Sequence, residues 1–440
     1  MKIAVVGMGH QGLVVAACLA EHGHQVVGVD RVPELVARLN AAEIDIYEPG
    51  LEELIARNLE EERLSFTTDF GVAVSGSLLS FICVHAPTTD TGAIDAQPVL
   101  DVAAEIMEHR KEYTIIVNRC AVPPGTAARI RAHLEAAGHS HFDVVVNPDF
   151  LKRGNALDDF LRPDRVVAGC NGVRMQEIMK ELFSPFLRTG KPFIAMLPES
   201  AEFLRYAMSA MLSARISLMN ELAELAVRYK ADMGEVREGL AADERIGSTF
   251  LFPGLGFGGA GLTKDLASLR HLAEAAGIPV ELVQGIQNVN ERRQQGFLEC
   301  IKIHYGAALA GKRLAVWGAS FKPRTNDITH APSLRIIDGL LAAGAAIVVY
   351  DPAADAAIAQ HYAGRVQTAE KFYQALEGVD GLIICTEWNT FRRPDFDRMK
   401  GLMRQPVIFD GRNLYNPRLL AQEGFTYYSI GRETAAPTQS

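Results

Sequence analysis

The chain has 440 residues, of which 22% are charged and 48% are apolar, and its formal net charge is −9 at pH 7. This length predicts two or three globular units that can each bury a core, and the composition excludes a disordered or fibrous chain. Because 44 basic residues stand against 53 acidic ones, the sequence offers no cationic surface for a nucleic-acid backbone, and we expect no nucleic-acid partner.

The first region, residues 1 to 198, alternates short β-branched runs with helical stretches, which is typical of a doubly wound parallel sheet. Its predicted strands cover residues 3–6, 26–29, 79–84, 115–117, 144–146 and 165–167. From residue 199, apolar residues recur at spacings of three and four, which predicts one long helix followed by shorter ones. The Met-rich stripe of that helix is expected to be core or dimer interface.

The alternating pattern resumes after Gly311, with predicted strands at 314–317, 347–350, 382–385 and 407–409. The sequence therefore predicts an α/β fold with two Rossmann-like doubly wound parallel-sheet domains, joined by a long central helix within a helical domain. We expect the boundaries to be 1–198, 199–300 and 301–440, in that order.

The six cysteines stand singly, with no C-x-x-C pair and no His/Cys cluster at metal-ligand spacing, so we expect neither a disulfide framework nor a metal site. The N-terminus runs directly into an apolar strand-like segment, and no apolar run approaches the roughly 20 residues of a membrane span. We therefore expect a cytoplasmic protein without a membrane partner, whose thiols stay reduced. Whether one of these thiols is a nucleophile is the question this raises.

A glycine-rich motif follows the first predicted strand and opens a predicted helix. It reads Gly7-Met8-Gly9-His10-Gln11-Gly12, and Asp30 ends the next strand 18 residues later. In this context the motif predicts a dinucleotide site, with a pyrophosphate at the helix N-terminus and Asp30 on the ribose hydroxyls. The acid favours NAD over NADP, and the adjacent Arg31 weakens that preference. The predicted cofactor is NAD.

Further motifs occur in a fixed order along the chain. They are Asn147-Pro148-Asp149-Phe150-Leu151, Arg245-Ile246-Gly247, the segment from Gly256 to Asp265, Phe321-Lys322-Pro323, Thr386-Glu387-Trp388 and Asp410-Gly411-Arg412-Asn413. Together they closely resemble the UDP-glucose/GDP-mannose dehydrogenase family over essentially the whole chain. The resemblance implies an NAD domain, a central dimerisation helix and a nucleotide-sugar domain. It also implies oxidation of a sugar C6 alcohol to the acid through an active-site Cys.

The resemblance also implies which residues bind. Pro87 and Thr88 fall beside the nicotinamide, and Arg245 is the arginine donated by a partner subunit, so the resemblance implies a homodimer that shares its substrate site. The implied substrate-binding residues are Phe150, Leu151, Arg245, Phe250, Phe257, Gly258, Gly261, Lys322 and Arg412. Cationic side chains suit a diphosphate, and Arg offers bidentate geometry.

The chemical residues depart from the family pattern. The family's Cys in G-F-G-G-x-C is Gly261 here, and the register on both sides is kept. Further departures are Arg205 for a catalytic Lys, Ser209 for an Asn, Ala121 for a Thr that orients water, and Asp149 and Arg153 for two glutamates. The retained candidate catalytic residues are Asp265, Asp149, Arg205 and Lys264. Cys120 is an alternative nucleophile.

These departures favour an NAD-dependent nucleotide-sugar oxidoreductase that stops short of the four-electron oxidation. It would release a carbonyl product, or use transient oxidation for epimerisation or dehydration. Two alternatives stay open: an ordinary UDP- or GDP-sugar 6-dehydrogenase that makes the uronic acid, and a non-catalytic regulator that binds a nucleotide sugar. The sequence names neither the base nor the sugar.

Overall fold

The computed structural model describes residues 1–110, 112–188, 190–306 and 309–437. The chain divides into two compact units: residues 1–208 with 267–275, and residues 209–266 with 276–440. Helices α9 and α11 therefore each contribute residues to both units, α9 being Pro198–Arg228 and α11 Ala260–Ala275. None of the described helices is both long and apolar enough to cross a membrane.

The first unit is built on an eight-stranded sheet. Its strands are β1 (Lys2–Val6), β2 (Gln25–Val29), β3 (Leu64–Thr67), β4 (Leu79–Ile82), β5 (Thr114–Asn118), β6 (Phe142–Val146), β7 (Val166–Gly169) and β8 (Phe193–Met196). The order is β3-β2-β1-β4-β5-β6-β7-β8, and every pair is parallel except β6 with β7, where Val146 pairs with Gly169. Successive strands are added to one side of β1 as far as β3 and to its other side from β4 onward. The carboxyl ends of β1 and β4 therefore form the crevice where ligands bind in such folds.

Helices cover this sheet and bury its β-branched side chains. They are α1 (His10–Glu21), α2 (Pro33–Asn40), α3 (Leu51–Glu60), α4 (Phe70–Val74), α5 (Gln97–His109), α6 (Thr126–Ala136), α7 (Ala156–Leu161) and α8 (Val173–Phe183), with a 3-10 turn at Ser184–Leu187. Helix α1 packs most deeply, because nine consecutive residues from Gly12 to Ala20 are buried. That burial fixes the start of α1 against the end of β1.

The second unit carries a six-stranded, fully parallel sheet. Its strands are β9 (Arg313–Trp317), β10 (Ala346–Tyr350), β11 (Gln367–Thr368), β12 (Gly381–Ile384), β13 (Val407–Asp410) and β14 (Thr426–Ser429), in the order β11-β10-β9-β12-β13-β14. Its remaining helices are α10 (Met233–Ala242), α12 (Glu281–Tyr305), α13 (Pro332–Ala342), α14 (Asp355–Tyr362), α15 (Phe396–Leu402) and α16 (Pro417–Gln422), with 3-10 turns at Gln374–Leu376 and Asn389–Phe391. The prediction of two Rossmann-like parallel sheets and a long central helix is confirmed.

Helix α9 buries only part of its predicted apolar stripe, including Ala201, Met219 and Ala226, and buries polar side chains beside it. Ser213, Ser217 and Asn220 are buried, whereas Met211 and Leu218 are exposed. Small polar side chains allow close packing on the buried face, and the Ser217 hydroxyl donates to the Ile286 carbonyl at 2.9 Å. Of the Met-rich stripe, which was predicted to be core or dimer interface, Met219 lies in the core, whereas Met211 lies on the exposed face.

Candidate functional site

The turn between β1 and α1 is shaped by three glycines. Gly7 has φ +94°, and a Cβ there would lie 2.9 Å from the Cys83 carbonyl oxygen. A Cβ on Gly12 would overlap the Gly7 carbonyl, whereas a Cβ on Gly9 would meet no described atom within 4 Å. Packing within the chain therefore requires glycine at positions 7 and 12, while Gly9 leaves the turn open on its outer side.

The start of α1 can accept an anion. Its N-cap, Gly9, provides no side-chain cap, and the first turn, which is described throughout, contains no acidic side chain. The N–H groups of such a turn are available to a pyrophosphate. The His10 ring lies beside this turn and makes a 2.7 Å hydrogen bond to Glu48, and Gln11 donates to the Arg119 carbonyl at 3.0 Å.

Asp30 lies at the end of β2, next to the same turn. Its carboxylate accepts hydrogen bonds from Met8 N at 2.8 Å and Val32 N at 3.2 Å, and the residue is only half-buried. This leaves carboxylate lone pairs for ribose hydroxyls, as a dinucleotide site requires. Arg31 is exposed and pairs with Glu105 at 2.5 Å. The open turn and the acid at this position fit NAD.

Pro87 and Thr88 follow β4, whose carboxyl end lies beside that of β1. The Pro87 carbonyl accepts from Asp95 N at 2.9 Å, and Thr88 pairs with Ile94 in an isolated antiparallel bridge. These contacts hold the predicted nicotinamide-side residues at the same edge of the sheet as Gly7.

Asp149 is held between two arginines. The Arg205 guanidinium donates to the Asp149 carbonyl at 2.8 Å and lies 3.8 Å from its carboxylate. Arg119 approaches the other carboxylate oxygen at 3.6 Å and hydrogen-bonds the Asn147 side chain. The structure thus brings together two predicted catalytic residues of the first unit, Asp149 and Arg205, in a positively charged environment.

Arg119 was not predicted from the sequence. It is buried and follows β5, while Asn147 and Asp149 follow β6, the neighbouring parallel strand. Polar residues directly after two adjacent parallel strands meet at one edge of the sheet, and that coincidence is the signal that could have identified Arg119.

Cys120, the predicted alternative nucleophile, and Cys83, which follows β4, are both buried. Burial raises the pKa of Cys83 to about 12 and raises that of Cys120 further. The Cys120 thiol also donates to the Ile82 carbonyl at 3.4 Å. Neither side chain is a thiolate at neutral pH, so neither is an activated nucleophile in this conformation.

In the second unit, the glycines of the 256–259 segment are explained by their protein neighbours. A Cβ on Gly258 would overlap the His330 carbonyl, and one on Gly259, whose φ is +80°, would lie 2.8 Å from the Phe321 ring. The Phe257 backbone is held by the Asn290 side chain, which accepts from its N–H at 2.9 Å and donates to its carbonyl at 3.1 Å. The segment is therefore rigidly shaped before any ligand binds.

Helix α11 begins at the end of this segment and carries Gly261, Lys264 and Asp265. Gly261 is exposed, and a Cβ there would meet no described atom within 4 Å. Asp265 is buried and lies one helical turn beyond Gly261, on the same face. Its carboxylate accepts from the Ser209 hydroxyl at 2.6 Å, while Lys264 is half-buried. Asp265, a predicted catalytic residue, is thus hydrogen-bonded to Ser209, which stands where the family pattern has an Asn.

Arg412 is anchored by backbone carbonyls. It donates to Cys385 O at 2.7 Å and to Gly256 O at 3.4 Å, and lies 3.3 Å from the Glu387 carboxylate. The two carbonyls are neutral, whereas the Glu387 carboxylate offsets part of the charge, so an anionic ligand would compete with Glu387 for the guanidinium.

The other predicted substrate residues differ in how they are held. The Lys322 ammonium lies 5.9 Å from the centre of the Phe321 ring. Phe250 adopts a left-handed backbone with φ +59°, which is uncommon for a non-glycine residue and is found at constrained sites. The Arg245 side chain is 89% exposed and pairs with Asp243 at 2.6 Å. Among the described residues, its partner Asp243 belongs to the same turn.

Comparison with known proteins decides the family. The profiles of the UDP-glucose/GDP-mannose dehydrogenase family match as an NAD-binding domain at residues 1–187, a central domain at 199–292 and a UDP-binding domain at 315–417. The UDP-glucose 6-dehydrogenase of Pseudomonas aeruginosa is 39% identical, covering 99% of this chain and 98% of that protein. The chain belongs to the UDP-glucose/GDP-mannose dehydrogenase family.

Two further relatives cover the same span. The UDP-glucose 6-dehydrogenase TuaD of Bacillus subtilis is 37% identical over all of this chain and 95% of that protein. The solved UDP-glucose dehydrogenase of Pyrobaculum islandicum is 32% identical, with a TM-score of 0.90 over 98% of both chains. As a member of this family, the chain is an NAD-dependent oxidoreductase acting on a nucleotide sugar.

These relatives correct the predicted reaction outcome. We expected oxidation to stop before the acid, because no thiol stands at position 261. Family members that match over their full length at 37% and 39% identity are UDP-glucose 6-dehydrogenases, which favours the ordinary alternative. The prediction rested on departures at single positions, among them Gly261, Arg205 and Ala121, and the similarity over the full length overturns it. A non-catalytic regulator is likewise not favoured.

Proposed function

We propose that this family member oxidises the C6 alcohol of a UDP-hexose to the uronate, with UDP-glucose as the first substrate to test. The main observation in support of this proposal is the full-length similarity to UDP-glucose 6-dehydrogenases. The match to the family's UDP-binding domain at residues 315–417 supports the choice of nucleotide.

The overall reaction balances over two oxidations. The turn after β1 and Asp30 would hold NAD, which would supply the hydride acceptor of each oxidation, so that two equivalents would take the alcohol to the carboxylate. C6 loses a hydride and its hydroxyl loses a proton; one water then adds to the aldehyde carbon, and the hydrate loses a second hydride and further protons. One alcohol and one water thus give one carboxylate, two NADH and three protons.

In the second unit, Asp265 and Ser209 are the proposed proton-transfer pair. A buried carboxylate that accepts a 2.6 Å hydrogen bond from a hydroxyl can take a proton and pass it through that hydroxyl. Lys264, the neighbouring residue on α11, adds positive charge near this carboxylate.

In the first unit, Arg205 and Arg119 supply positive potential where an oxyanion develops, and Asp149 fixes the Arg205 guanidinium. An arginine keeps its charge, so Arg205 stabilises charge and does not itself exchange the proton.

We infer that this chain is a divergent family member that completes the second oxidation without a cysteine at position 261. The space around Gly261, on the same face of α11 as Asp265, supports water rather than a sulfur as the group that adds to the aldehyde. Asp265 accepts a proton from that water as the water oxygen bonds to the aldehyde carbon and the C=O π bond breaks. The alkoxide left on the former carbonyl oxygen then takes a proton from solvent, which gives the hydrate. The raised pKa values of Cys83 and Cys120 support the same conclusion.

Arg412 and Lys322 are the proposed diphosphate ligands, and the rigid 256–259 segment shapes the sugar pocket together with Phe250. Phe150 and Leu151, which directly follow Asp149, are the proposed nucleotide-sugar contacts of the first unit. The division at 198/199 and 300/301 stays a prediction.

We also propose a homodimer. Met211, Leu218 and Leu225 lie seven residues apart on α9 and are all exposed, as a helix face that packs on a second copy would be. The 89% exposed Arg245 side chain is suited to reach a partner's substrate site.

We further propose a cytoplasmic location. The six unpaired cysteines fit a reducing, cytoplasmic location.

The proposed function is tested by stoichiometry. The purified chain is incubated with NAD and, separately, UDP-glucose, a UDP-N-acetylhexosamine and GDP-mannose, while NADH and product mass are followed. We expect two NADH for each UDP-uronate formed. One NADH with an accumulating aldehyde, or no turnover of any UDP-sugar, would contradict the proposal.

The thiol-free route has its own test. Chemical quenching during turnover should give no acyl adduct on the protein by mass spectrometry, and C120A should keep the two-to-one ratio. E299Q, a change at an exposed residue on α12, is the control. An acyl adduct on any cysteine would refute this route while leaving the overall reaction intact.

A further inference from the structure

Glu48 is a buried carboxylate that joins two segments of the first unit. It lies between α2 and α3, and its side chain is 1% exposed. One oxygen accepts from His10 Nε2 at 2.7 Å and Gly154 N at 2.6 Å, and the other from Ala156 N at 2.7 Å. All three donors are polar groups that would otherwise need a partner away from water.

The two segments that Glu48 joins have different predicted ligands. His10 is the first residue of α1, in the turn proposed to hold the pyrophosphate of NAD. Gly154 and Ala156 end the loop that begins at Asn147 and carries Phe150 and Leu151, the proposed nucleotide-sugar contacts.

The geometry of the loop depends on this carboxylate. Gly154 has φ +77°, a left-handed conformation that directs its N–H to Glu48. Helix α7 begins at Ala156, and its N-cap Asn155 makes no side-chain cap hydrogen bond. Glu48 therefore performs the capping role from outside the helix, and removing it leaves two backbone donors of the loop without an acceptor.

The ionised form of Glu48 is the one that suits these donors. Burial alone would raise the pKa of Glu48, but the hydrogen bonds from His10, Gly154 and Ala156 outweigh it and hold the pKa below its usual value. At neutral pH the carboxylate is charged and can accept all three hydrogen bonds at once.

We propose that Glu48 is a positioning residue that couples the two ligands: it fixes the 147–156 loop to the cofactor turn, so that dinucleotide and nucleotide sugar strengthen each other's binding. This inference rests on the proposed function for the identity of the sugar ligand. A rigid link lets whichever ligand binds first order the segment that the second ligand needs. Such coupling is reciprocal, because each ligand changes the affinity of the other by the same factor.

The test measures binding without turnover. NADH fluorescence titrations give the NADH Kd with and without saturating UDP-glucose, a pair that cannot react. For the wild type we expect UDP-glucose to tighten NADH binding about fivefold or more. H10A removes one hydrogen bond and leaves the loop capped. E48Q removes the charge and puts an NH2 group in place of one carboxylate oxygen, so the oxygen that remains cannot accept from all three donors. Both variants should lower the coupling factor to within about twofold of unity.

A matched control and a double-mutant cycle separate coupling from loss of folding. E21Q changes a carboxylate at the other end of α1, where it accepts from Asn58 and Arg57, and should keep the wild-type coupling factor. If His10 acts through Glu48, the double variant should be no less coupled than E48Q alone.

Several outcomes would overturn the proposal. These are a wild-type coupling factor near one, wild-type coupling in E48Q and H10A, or equal loss of coupling in E21Q. If coupling is present and follows Glu48 but no uronate forms, only the proposed function fails. If uronate forms without coupling, only the present inference fails.

Discussion

The turn after β1 in the first unit and the turn after β9 in the second have similar backbone conformations. They differ in how many hydrogen bonds the neighbouring aspartate accepts from the protein. Each opens on a glycine with positive φ, Gly7 at +94° and Gly318 at +85°. Each lies beside an aspartate that directly follows the next strand along the chain in the sheet: Asp30 follows β2, and Asp351 follows β10. In both sheets the side-chain oxygen of that aspartate accepts from the turn backbone.

The aspartates differ in what remains for a ligand. Asp351 is fully buried and has six donors. They are Ala319 N, Ser320 N, Ser320 Oγ, Ala353 N, Ala354 N and Trp388 Nε1, at 2.7 to 3.2 Å. Asp30 is half-buried and accepts from two backbone N–H groups. The same strand-turn geometry is therefore filled by the protein's own groups in one unit and left open in the other, and the side chains decide which.

We call the turn after β9, which Asp351 fills, the closed turn, and the turn after β1 the open turn. The largest expected effect comes from disrupting the closed turn. D351A removes the acceptor of these six donors, of which Trp388 Nε1 keeps the Ser320 hydroxyl at 3.3 Å. We therefore expect the free energy of unfolding of the second unit to fall by about 4 kcal/mol. Both tryptophans of the chain, Trp317 and Trp388, lie in this unit, so urea unfolding followed by tryptophan fluorescence reports it directly. D30A is the matched control. Because the first unit contains no tryptophan, its unfolding is followed by far-UV circular dichroism, and the loss should be less than about 1 kcal/mol. Equal losses would contradict the proposed difference between the turns.

In the first unit, Glu202 is a buried carboxylate that caps helix α6, and its burial raises its pKa. Glu202 accepts from Gly125 N at 2.5 Å and Ala127 N at 2.8 Å at the start of α6. Burial raises its pKa from 4.5 to about 7, because desolvation outweighs these hydrogen bonds.

Because the folded-state pKa of Glu202 is the higher one, its contribution to stability is fully present below pH 4.5 and is lost as the pH rises to about 7. The free energy of unfolding of the wild type, relative to E202Q, should therefore fall by about 3 kcal/mol between pH 4.5 and pH 7. Urea unfolding of both proteins across this range, followed by far-UV circular dichroism, measures that difference. A constant or rising difference would show that the backbone hydrogen bonds win over burial.

Much of the fold could be predicted from the sequence, because long β-branched runs and helical periodicity report burial directly. The strands missed were β3, β8, β11 and β14, which occupy the edges of the two sheets. Edge strands are half-exposed, so they do not give the continuous apolar run of a buried parallel strand. The antiparallel pairing of β6 with β7 depends on long-range contacts that no local pattern encodes.

The cofactor turn could be predicted because its chemistry lies in one contiguous motif. Glu48 and Arg119 could not be, since their partners are far along the chain: Glu48 binds a loop more than 100 residues away. A lone acid or arginine in a sequence is usually a solvated surface charge. Only the fold brings these side chains to buried donors and acceptors.

A smaller expected effect sharpens the role of the open turn. Gly9 has φ −73°, which alanine also adopts, and a Cβ there meets no described atom of the chain. G9A should therefore leave the free energy of unfolding within about 0.5 kcal/mol and weaken NAD binding at least about tenfold, because the methyl group occupies the pyrophosphate's approach.

Gly239 in α10 offers a matched control for that substitution. A Cβ there likewise meets no described atom within 4 Å, so G239A should change neither stability nor NAD affinity adversely. Calorimetric titration with NAD measures all three proteins. Wild-type NAD affinity in G9A would place the pyrophosphate elsewhere and remove the main distinction between the two turns.

The smallest expected effect concerns the acid that the open turn leaves available. D30N keeps an acceptor for Met8 N but loses the charge that binds ribose hydroxyls and repels a 2′-phosphate. We expect NAD to bind about five- to tenfold more weakly and the preference for NAD over NADP to shrink by more than that factor. E105Q, which releases the exposed Arg31 from its carboxylate partner, should improve NADP binding alone. Steady-state KM values for both cofactors separate these effects. If D30N changes both cofactors equally, Asp30 shapes the turn without reading the ribose, and its role becomes the structural one that Asp351 has in the second unit.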